Sequence, residues 1–131
     1  MSPSSARLRE GLVAIIAAVV TFAATTSLHA RAPQPELAVI EAHELPREAR
    51  EVLARVHSGG PFAYERDGVV FGNREQVLPP RRRGYYREYT VPTPGERTRG
   101  ARRLVCGGTA TQPDACFYSN DHYRTFARIR E

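Results

Sequence analysis

The stretch "GYYREYTV", residues 84 to 91, has the composition of a half-buried β-strand with one residue out of place. Its tyrosines, threonine and valine suit a pleated surface. Glu88 does not, because a carboxylate inside a sheet loses hydration that only a close partner can replace. Alternation along a strand divides the stretch into one face of Tyr86, Glu88 and Thr90 and another of Tyr85, Arg87, Tyr89 and Val91.

The next predicted strand, "ARRLVC" at residues 101–106, offers a partner for Glu88. Alternation separates Arg103 from Leu104. If a helix covers the side with Tyr85, Tyr89 and Leu104, then Glu88 and Arg103 meet on the uncovered face. We therefore expect Arg103 to neutralise Glu88, and an ordinary cross-strand ion pair of little energetic value is the alternative.

The residues around these strands predict an α+β fold. Residues 45–60, "LPREAREVLARVHSGG", carry apolar side chains at helical spacing, with Pro46 suited to the first turn and two glycines at the end. Further strands are predicted at 116–119 and 125–129, and "LAVIEA" at 37–42 is a possible edge strand. We expect one N-terminal helix packed on a small antiparallel β-sheet.

The first thirty residues have the pattern of a targeting segment. Two arginines precede an apolar run from Leu12 to Ala24, and small residues follow up to Ala32. This predicts a secretory signal peptide over 1–30 with cleavage near 30–32, and an uncleaved N-terminal anchor is the alternative. We expect a secreted, extracellular protein with a linker and possible edge strand over 31–44 and one domain over 45–131.

Cys106 and Cys116 are the two cysteines of the chain. In an oxidising compartment they fit one disulfide, and closing so short a loop would stabilise the fold by roughly 2–3 kcal/mol in the chain-entropy model. Their spacing matches no zinc motif, so we expect no metal there.

Positive charge is concentrated in the C-terminal half. Residues 31–59 carry four Arg against five Glu, whereas residues 60–131 carry 13 Arg against eight acidic residues. This asymmetry favours a polyanionic partner, because arginine binds phosphate through planar, two-pronged hydrogen bonds. A solvated surface tuned for solubility is the alternative.

Three separate segments resemble the microbial guanyl-specific ribonucleases. In order they are "GPFAYERDGVVFGNREQVLP" (60–79), "GYYREYTVPTPGERTRGARRLV" (84–105) and "DHYRTFARI" (121–129). The likeness is greatest to the RNase Sa type, with barnase a more distant relative, and it runs from about Leu45 to Ile129. It implies a metal-independent endoribonuclease of the microbial ribonuclease fold. Such an enzyme cleaves single-stranded RNA after guanosine, first to a 2′,3′-cyclic phosphate and then by hydrolysis.

The resemblance assigns roles to a small set of residues. It makes Glu88 the general base and His122 the general acid, with Arg99, Arg103 and the Tyr123 hydroxyl holding the phosphate. The reaction needs such a set, because the ribose 2′-OH must lose a proton, the departing 5′-oxygen must gain one, and the phosphorane between them is anionic. Two nearby guanidiniums would keep Glu88 ionised, and a histidine can be protonated under mildly acidic conditions.

The same resemblance places guanine recognition in residues 71–76, "FGNREQ". Guanine presents an acceptor at O6 and donors at N1 and N2. The Glu75 carboxylate would accept from both donors, and backbone N–H groups around Asn73 and Arg74 would reach O6. Adenine reverses this pattern and would be rejected. Phe71 would form the apolar floor of the site, although a core position fits it equally.

The sequence departs from the family in three places. The RNase Sa type ties its termini together with a disulfide, but here Glu41 occupies one partner's position and the cysteines flank a longer segment. We expect their bridge to stiffen the approach to His122. Gly72 stands where relatives carry a larger residue, which would loosen recognition. Arg66 replaces a neutral side chain, and it either adds a phosphate contact or is a solvated charge.

Two other functions fit parts of the pattern. A catalytically silent RNA-binding module would need the same basic surface, and a cationic secreted protein acting on membranes or cell walls would need only the charge. The ordered motifs and the lack of an amphipathic basic helix favour the enzyme. As partners we expect single-stranded RNA and, because the site is cationic, an acidic inhibitor of the barstar type; we expect a monomer and no cofactor.

Overall fold

The computed structural model describes residues 36–131. The predicted signal peptide and the first residues of the predicted linker lie outside the described residues. Within residues 36–131, the helices lack the length and apolar composition that a membrane span requires.

The predicted helix, α1, runs from Arg47 to Ser58. It begins directly after Pro46, whose lack of an N–H costs nothing at this position. It ends at Gly59, whose φ of 81° is left-handed and whose N–H donates to the carbonyls of the last turn. The side chains that it buries form the predicted apolar stripe, which consists of Ala49, Val52, Leu53 and Val56.

Five strands form the sheet: β1 (Ala38–Glu41), β2 (Tyr86–Thr90), β3 (Arg103–Gly108), β4 (Pro113–Ser119) and β5 (Ala127–Arg130). A short 3-10 helix, Ala42–Glu44, joins β1 to α1. The strand order is β1-β5-β4-β3-β2, and every neighbouring pair is antiparallel except β1 with β5. The α+β architecture and the edge strand are confirmed, and the sheet is mostly rather than wholly antiparallel.

The strand register separates two faces of the sheet. On the face that packs against α1, Tyr89 pairs with Leu104 and Leu104 with Tyr118. On the second face, Glu88 pairs with Val105, and Thr90 pairs with Arg103. A smaller apolar cluster covers the second face and consists of Leu78, Tyr86, Val105, Phe117 and Phe126. Glu88 therefore lies next to this small cluster, on the same face as the polar side chains of Thr90 and Arg103.

Tyr85 does not lie on the helix side, where it was expected. It packs against the second-face cluster, with its ring edge-on to Tyr86 at a centroid distance of 4.9 Å. The prediction was wrong because alternation holds only within the strand, and Tyr85 precedes β2. Gly107 has no side chain to exclude the ring, since a Cβ there would lie 2.2 Å from Tyr85 Cε1.

The segment from Val69 to Phe71 runs beside β2 without forming a strand of its own. Val70 makes an isolated bridge with Arg87. The Glu88 N–H donates to Val69 O at 3.0 Å, and the Phe71 N–H donates to Tyr86 O at 2.9 Å. These bonds fix the start of the following loop, residues 71–76, beside the strand that carries Glu88.

Cys106 and Cys116 face each other across β3 and β4 and form the predicted disulfide. Both are buried on the helix side of the sheet. The residues between them form the closed end of the β3–β4 hairpin, whereas His122 follows Ser119 at the other end of β4. This placement favours a role in stabilising the hairpin over the expected stiffening of the approach to His122.

Candidate active site

Glu88 is buried, with 6% of its surface exposed, and two arginines approach its carboxylate. Arg99 Nη2 lies 3.6 Å from Glu88 Oε1, and Arg66 Nε lies 3.8 Å from the same oxygen. The Arg66 side chain is 64% exposed, so water screens its attraction more than that of Arg99. The two cations compensate for hydration that the carboxylate loses on burial. Of the two interpretations of Arg66, the structure favours a contact at this site.

Arg103 shares the face of Glu88 but does not neutralise it as expected. Its Nε donates to the Tyr123 hydroxyl at 3.0 Å, and its Nη1 donates to the backbone carbonyl of Arg102 at 2.7 Å. The expectation was wrong because Arg103 stands opposite Thr90 in the register, and its side chain reaches the turn that carries Tyr123. Arg103 is only 2% exposed, and its hydrogen-bond acceptors among the described residues are neutral oxygens. A buried guanidinium of this kind is suited to an incoming anion.

Thr90 holds Arg99 in place. The Thr90 hydroxyl oxygen accepts from Arg99 Nη2 at 2.7 Å and from Arg99 Nε at 2.9 Å. Thr90 is 1% exposed, and its own backbone N–H donates to Asp67 Oδ1 at 2.7 Å. The guanidinium next to Glu88 is therefore oriented by a hydroxyl on the same sheet face as the carboxylate. Sequence reasoning placed Thr90 on this face but gave it no role.

The turn after β4 presents His122 and Tyr123 in a constrained backbone conformation. Their φ angles are 56° and 69°, in the left-handed region that few non-glycine residues adopt. The His122 N–H donates to Ala101 O at 3.0 Å, and the Tyr123 N–H donates to Ser119 Oγ at 3.0 Å. Asp121 Oδ1 accepts from Ser119 Oγ at 2.9 Å. These contacts hold two adjacent functional groups in a conformation that sequence propensity disfavours.

Asp121 and Tyr123 have shifted pKa values that follow from these contacts. The pKa of the Asp121 carboxyl is lowered, chiefly by the hydrogen bonds that it accepts from the side chain and backbone of Thr125. Burial raises the pKa of the Tyr123 hydroxyl, and the nearby Glu88 carboxylate raises it further. Tyr123 therefore stays protonated at neutral pH, as a neutral donor beside Glu88 and Arg103.

The loop of residues 71–76 is fixed by the Asn73 side chain. Asn73 Nδ2 donates to Leu78 O at 2.9 Å, and its Oδ1 accepts from the Leu78 N–H at 3.1 Å. This double contact supports a φ of 47° at Asn73. With the amide so engaged, backbone N–H groups of the loop are available to a ligand, including those of Asn73 and Arg74, which have no acceptor among the described residues.

A pocket of about 470 Å³ lies between this loop and the turn after β4. Its lining includes Phe71, Asn73, Arg74, Glu75, His122 and Tyr123. The rings of Phe71 and Tyr123 stack with centroids 5.2 Å apart and planes 20° from parallel. Phe71 also meets Phe126 edge-on, so it serves both the pocket wall and the second-face cluster. A Cβ at Gly72 would make only an ordinary contact with Arg74, so a larger residue would fit there.

The structure thus brings the predicted site residues to one side of the sheet. Glu88, Arg99, Arg103 and Tyr123 form a connected group of charges and hydroxyls. Sequence reasoning missed Asp67, Thr90, Ser119 and Asp121, which position others. The segment "SNDHYRT" carried a signal for the last two, because Ser and Asp side chains often fold back onto a nearby turn. Among the described residues, no three His, Cys, Asp or Glu side chains are grouped to hold a metal ion.

Sequence comparison with known proteins finds ribonucleases. The sequence model of the ribonuclease family matches residues 29–130. Guanyl-specific ribonuclease Sa of Kitasatospora aureofaciens is 58% identical over 85 residues, which are 65% of this chain and 85% of that protein. Guanyl-specific ribonuclease St of Saccharopolyspora erythraea is 47% identical over 83 residues, 63% of this chain and 78% of that protein.

Solved structures of ribonuclease Sa2 share the fold. Its complexes with mononucleotides superpose with a TM-score of 0.69 at 46% identity, covering 74% of this chain and 97% of that one. A second structure of the same protein, with guanosine-2′-cyclophosphate, gives a TM-score of 0.66 at 46% identity, covering 72% and 97% of the two chains.

Proposed function

This chain belongs to the microbial guanyl-specific ribonuclease family, and we propose that the site around Glu88 cleaves single-stranded RNA on the 3′ side of guanosine. The observation that carries the proposal is the buried Glu88 carboxylate, which has Arg99 Nη2 at 3.6 Å and is a neighbour of Tyr123, a residue that also lines the pocket for a base. Guanine specificity and the cyclic intermediate are supported by relatives that are named guanyl-specific and by the cyclophosphate complex of ribonuclease Sa2.

In the first step, Glu88 takes the proton from the guanosine 2′-OH. The 2′-oxygen then attacks the adjacent phosphorus, and the bond from phosphorus to the 5′-oxygen of the next nucleotide breaks. His122 gives its proton to that departing oxygen. The products are a 2′,3′-cyclic phosphate and a free 5′-hydroxyl, and because no water is consumed this step is lyase-like. In the second step water opens the ring and the two residues exchange roles, which completes a hydrolysis.

Fixed cations stabilise the charge that develops on the phosphorane. Arg99 is held by Thr90, and the buried Arg103 is held by Tyr123 and backbone carbonyls. Because these groups are oriented before substrate arrives, little reorganisation is needed as charge accumulates. Arg66 is the exposed third cation and can follow the substrate as it binds.

Guanine would occupy the pocket between the loop and the turn after β4. The Glu75 carboxylate accepts from N1 and N2, and the free backbone N–H groups of Asn73 and Arg74 donate to O6. Phe71 and Tyr123 supply the aromatic walls. The Asn73 contact with Leu78 keeps these groups in position and so lowers the entropic cost of recognition.

Three further properties belong to this proposal. Secretion is supported by the charge, apolar run and small-residue end of the N-terminal thirty residues. An acidic protein inhibitor of the barstar type would find complementary charge at the exposed Arg66 and neighbouring arginines. The domain would act as a monomer, because the catalytic and recognition groups all come from one chain.

Product analysis tests the chemistry. The purified protein, incubated with the dinucleotide GpC in EDTA, is expected to form guanosine 2′,3′-cyclic phosphate first and guanosine 3′-phosphate later, as followed by chromatography. A substrate with a 2′-O-methyl group on the guanosine is the matched control and should stay intact. Cleavage of the methylated substrate, or direct appearance of a 5′-phosphate product, would contradict the mechanism.

A further inference from the structure

A groove of about 530 Å³ borders the loop of residues 71–76, here called the recognition loop. It lies on the side of this loop that faces away from His122. It shares residues 71–74 with the guanine pocket, but its remaining wall comes from Val70, Tyr86 and the loop that carries Arg81, Arg82 and Arg83. Neither His122 nor Tyr123 lines it. The recognition loop therefore forms a partition with a pocket on each side.

Four arginines line this groove, and no acidic side chain does. They are Arg74, Arg81, Arg82 and Arg83, and none of them forms an ion pair among the described residues. The Arg81 guanidinium lies over the Tyr85 ring, 5.1 Å from its centroid, in a cation–π contact. Like charges gathered around one concave surface repel each other, and a polyanion relieves this repulsion.

We propose that this arginine groove binds the phosphodiester backbone of the RNA on the 5′ side of the guanosine. The inference rests on the proposed function. With guanine in its pocket, the 3′-phosphate lies at Glu88, Arg99 and His122, so the strand leaving the 3′ side passes those residues. The 5′ side of the nucleotide is then free to cross the recognition loop into the arginine groove. The groove would thus lengthen the substrate beyond the dinucleotide that the chemistry needs.

Substrate length separates this role from a solvated charge cluster. Three substrates with a single guanosine suffice: GpC, the 5′-extended ApApApGpC and the 3′-extended GpCpApApA. The test variant combines Arg81→Ala, Arg82→Ala and Arg83→Ala. The matched control combines Arg47→Ala, Arg50→Ala and Arg55→Ala, which removes the same charge from exposed positions on α1. Thermal unfolding of both variants checks that the fold is retained.

The groove variant should keep the wild-type kcat/KM for GpC and for the 3′-extended substrate. On the 5′-extended substrate it should lose about tenfold relative to the control variant, since three solvent-exposed ion contacts at roughly twofold each multiply to about this value. The slope of log affinity against log salt should also become shallower by about 2, because each phosphate contact on a single strand contributes roughly 0.7 to the slope and three contacts are removed.

Binding provides a readout that is independent of cleavage. A labelled ApApApGpC with a 2′-deoxyguanosine cannot react, and its fluorescence anisotropy should show the same tenfold weakening in the groove variant alone. Equal affinities in the groove and control variants would overturn the inference, and so would a loss of similar size on the 3′-extended substrate. If the wild-type protein bound this analogue but left GpC intact, the proposed function would fail while the groove remained testable.

Discussion

Replacing Thr90 with valine tests whether this residue acts through Arg99. The substitution keeps volume and strand preference but removes the hydroxyl that accepts from Arg99 Nη2 at 2.7 Å and Nε at 2.9 Å. The Asp67 contact is made by the backbone N–H of residue 90 and survives the change. Arg99 then loses its fixed position 3.6 Å from Glu88.

The size of the effect follows from these contacts. A hydrogen bond that involves a charged group contributes roughly 1.5–3 kcal/mol, and the Arg99 side chain, at 28% exposure, recovers part of this from water. We expect a net loss of about 1–2 kcal/mol in transition-state stabilisation, which is a fall of roughly 5- to 30-fold in kcat/KM for GpC.

Steady-state kinetics of three variants give the answer: Thr90→Val, Arg99→Ala and the double variant. If Thr90 acts only by orienting Arg99, the double variant should match Arg99→Ala within about twofold, because the hydroxyl has nothing left to hold. Multiplicative losses in the double variant, or wild-type kcat/KM in the Thr90→Val protein, would refute this role. The unfolding temperature of Thr90→Val distinguishes mispositioning of Arg99 from a weakened fold.

Three other variants probe the framework around the site. In Asn73→Gly, glycine tolerates the φ of 47°, but both contacts with Leu78 are lost. We expect KM for GpC to rise several-fold and the free energy of unfolding, measured in urea, to fall by about 2 kcal/mol. Asp121→Asn should lower the unfolding temperature at pH 7. The lowered pKa of Asp121 contributes stability above about pH 4, the unfolded value, so the gap to wild type should close as pH falls through the folded pKa. The Cys106→Ser, Cys116→Ser protein should lose roughly 2–3 kcal/mol of stability and keep its turnover while folded.

A specific result would contradict each of these three predictions. An unchanged KM in Asn73→Gly would mean that the loop is ordered without its amide contact. A stability gap for Asp121→Asn that stayed constant from pH 7 to pH 2 would show that charge is not the cause. Reduced turnover in folded, disulfide-free protein would restore the idea that the bridge stiffens the approach to His122.

Local patterns predicted most of the fold, and their failures occur where a side chain is placed by distant residues. Apolar spacing and Gly59 sufficed for α1, because those signals lie within the helix. Alternation put Glu88 and Arg103 on one face but could not give the diagonal register or the reach of the Arg103 side chain. The Tyr85 ring packs where Gly107, more than twenty residues away in sequence, has no side chain.

The candidate site shows the same division. Family resemblance supplied Glu88, Arg99, His122 and the loop of residues 71–76. It could not show that Arg66 lies near Glu88, because that contact joins an exposed turn to a strand. It also could not show how a left-handed backbone presents His122, since the hydrogen bonds that support this conformation come from Ala101 and the turn around Asp121.

The most direct measurement compares kcat/KM for GpC and ApC in EDTA with wild-type, Glu88→Gln and His122→Asn proteins. Asparagine suits the φ of 56° at residue 122, so the fold is kept, and Glu65→Gln is the exposed control. We expect GpC to be preferred by at least about 100-fold, and each active-site variant to lose roughly 10²–10⁴-fold. Equal cleavage of the two dinucleotides, or full activity in both active-site variants, would contradict a guanine-specific ribonuclease built on Glu88 and His122.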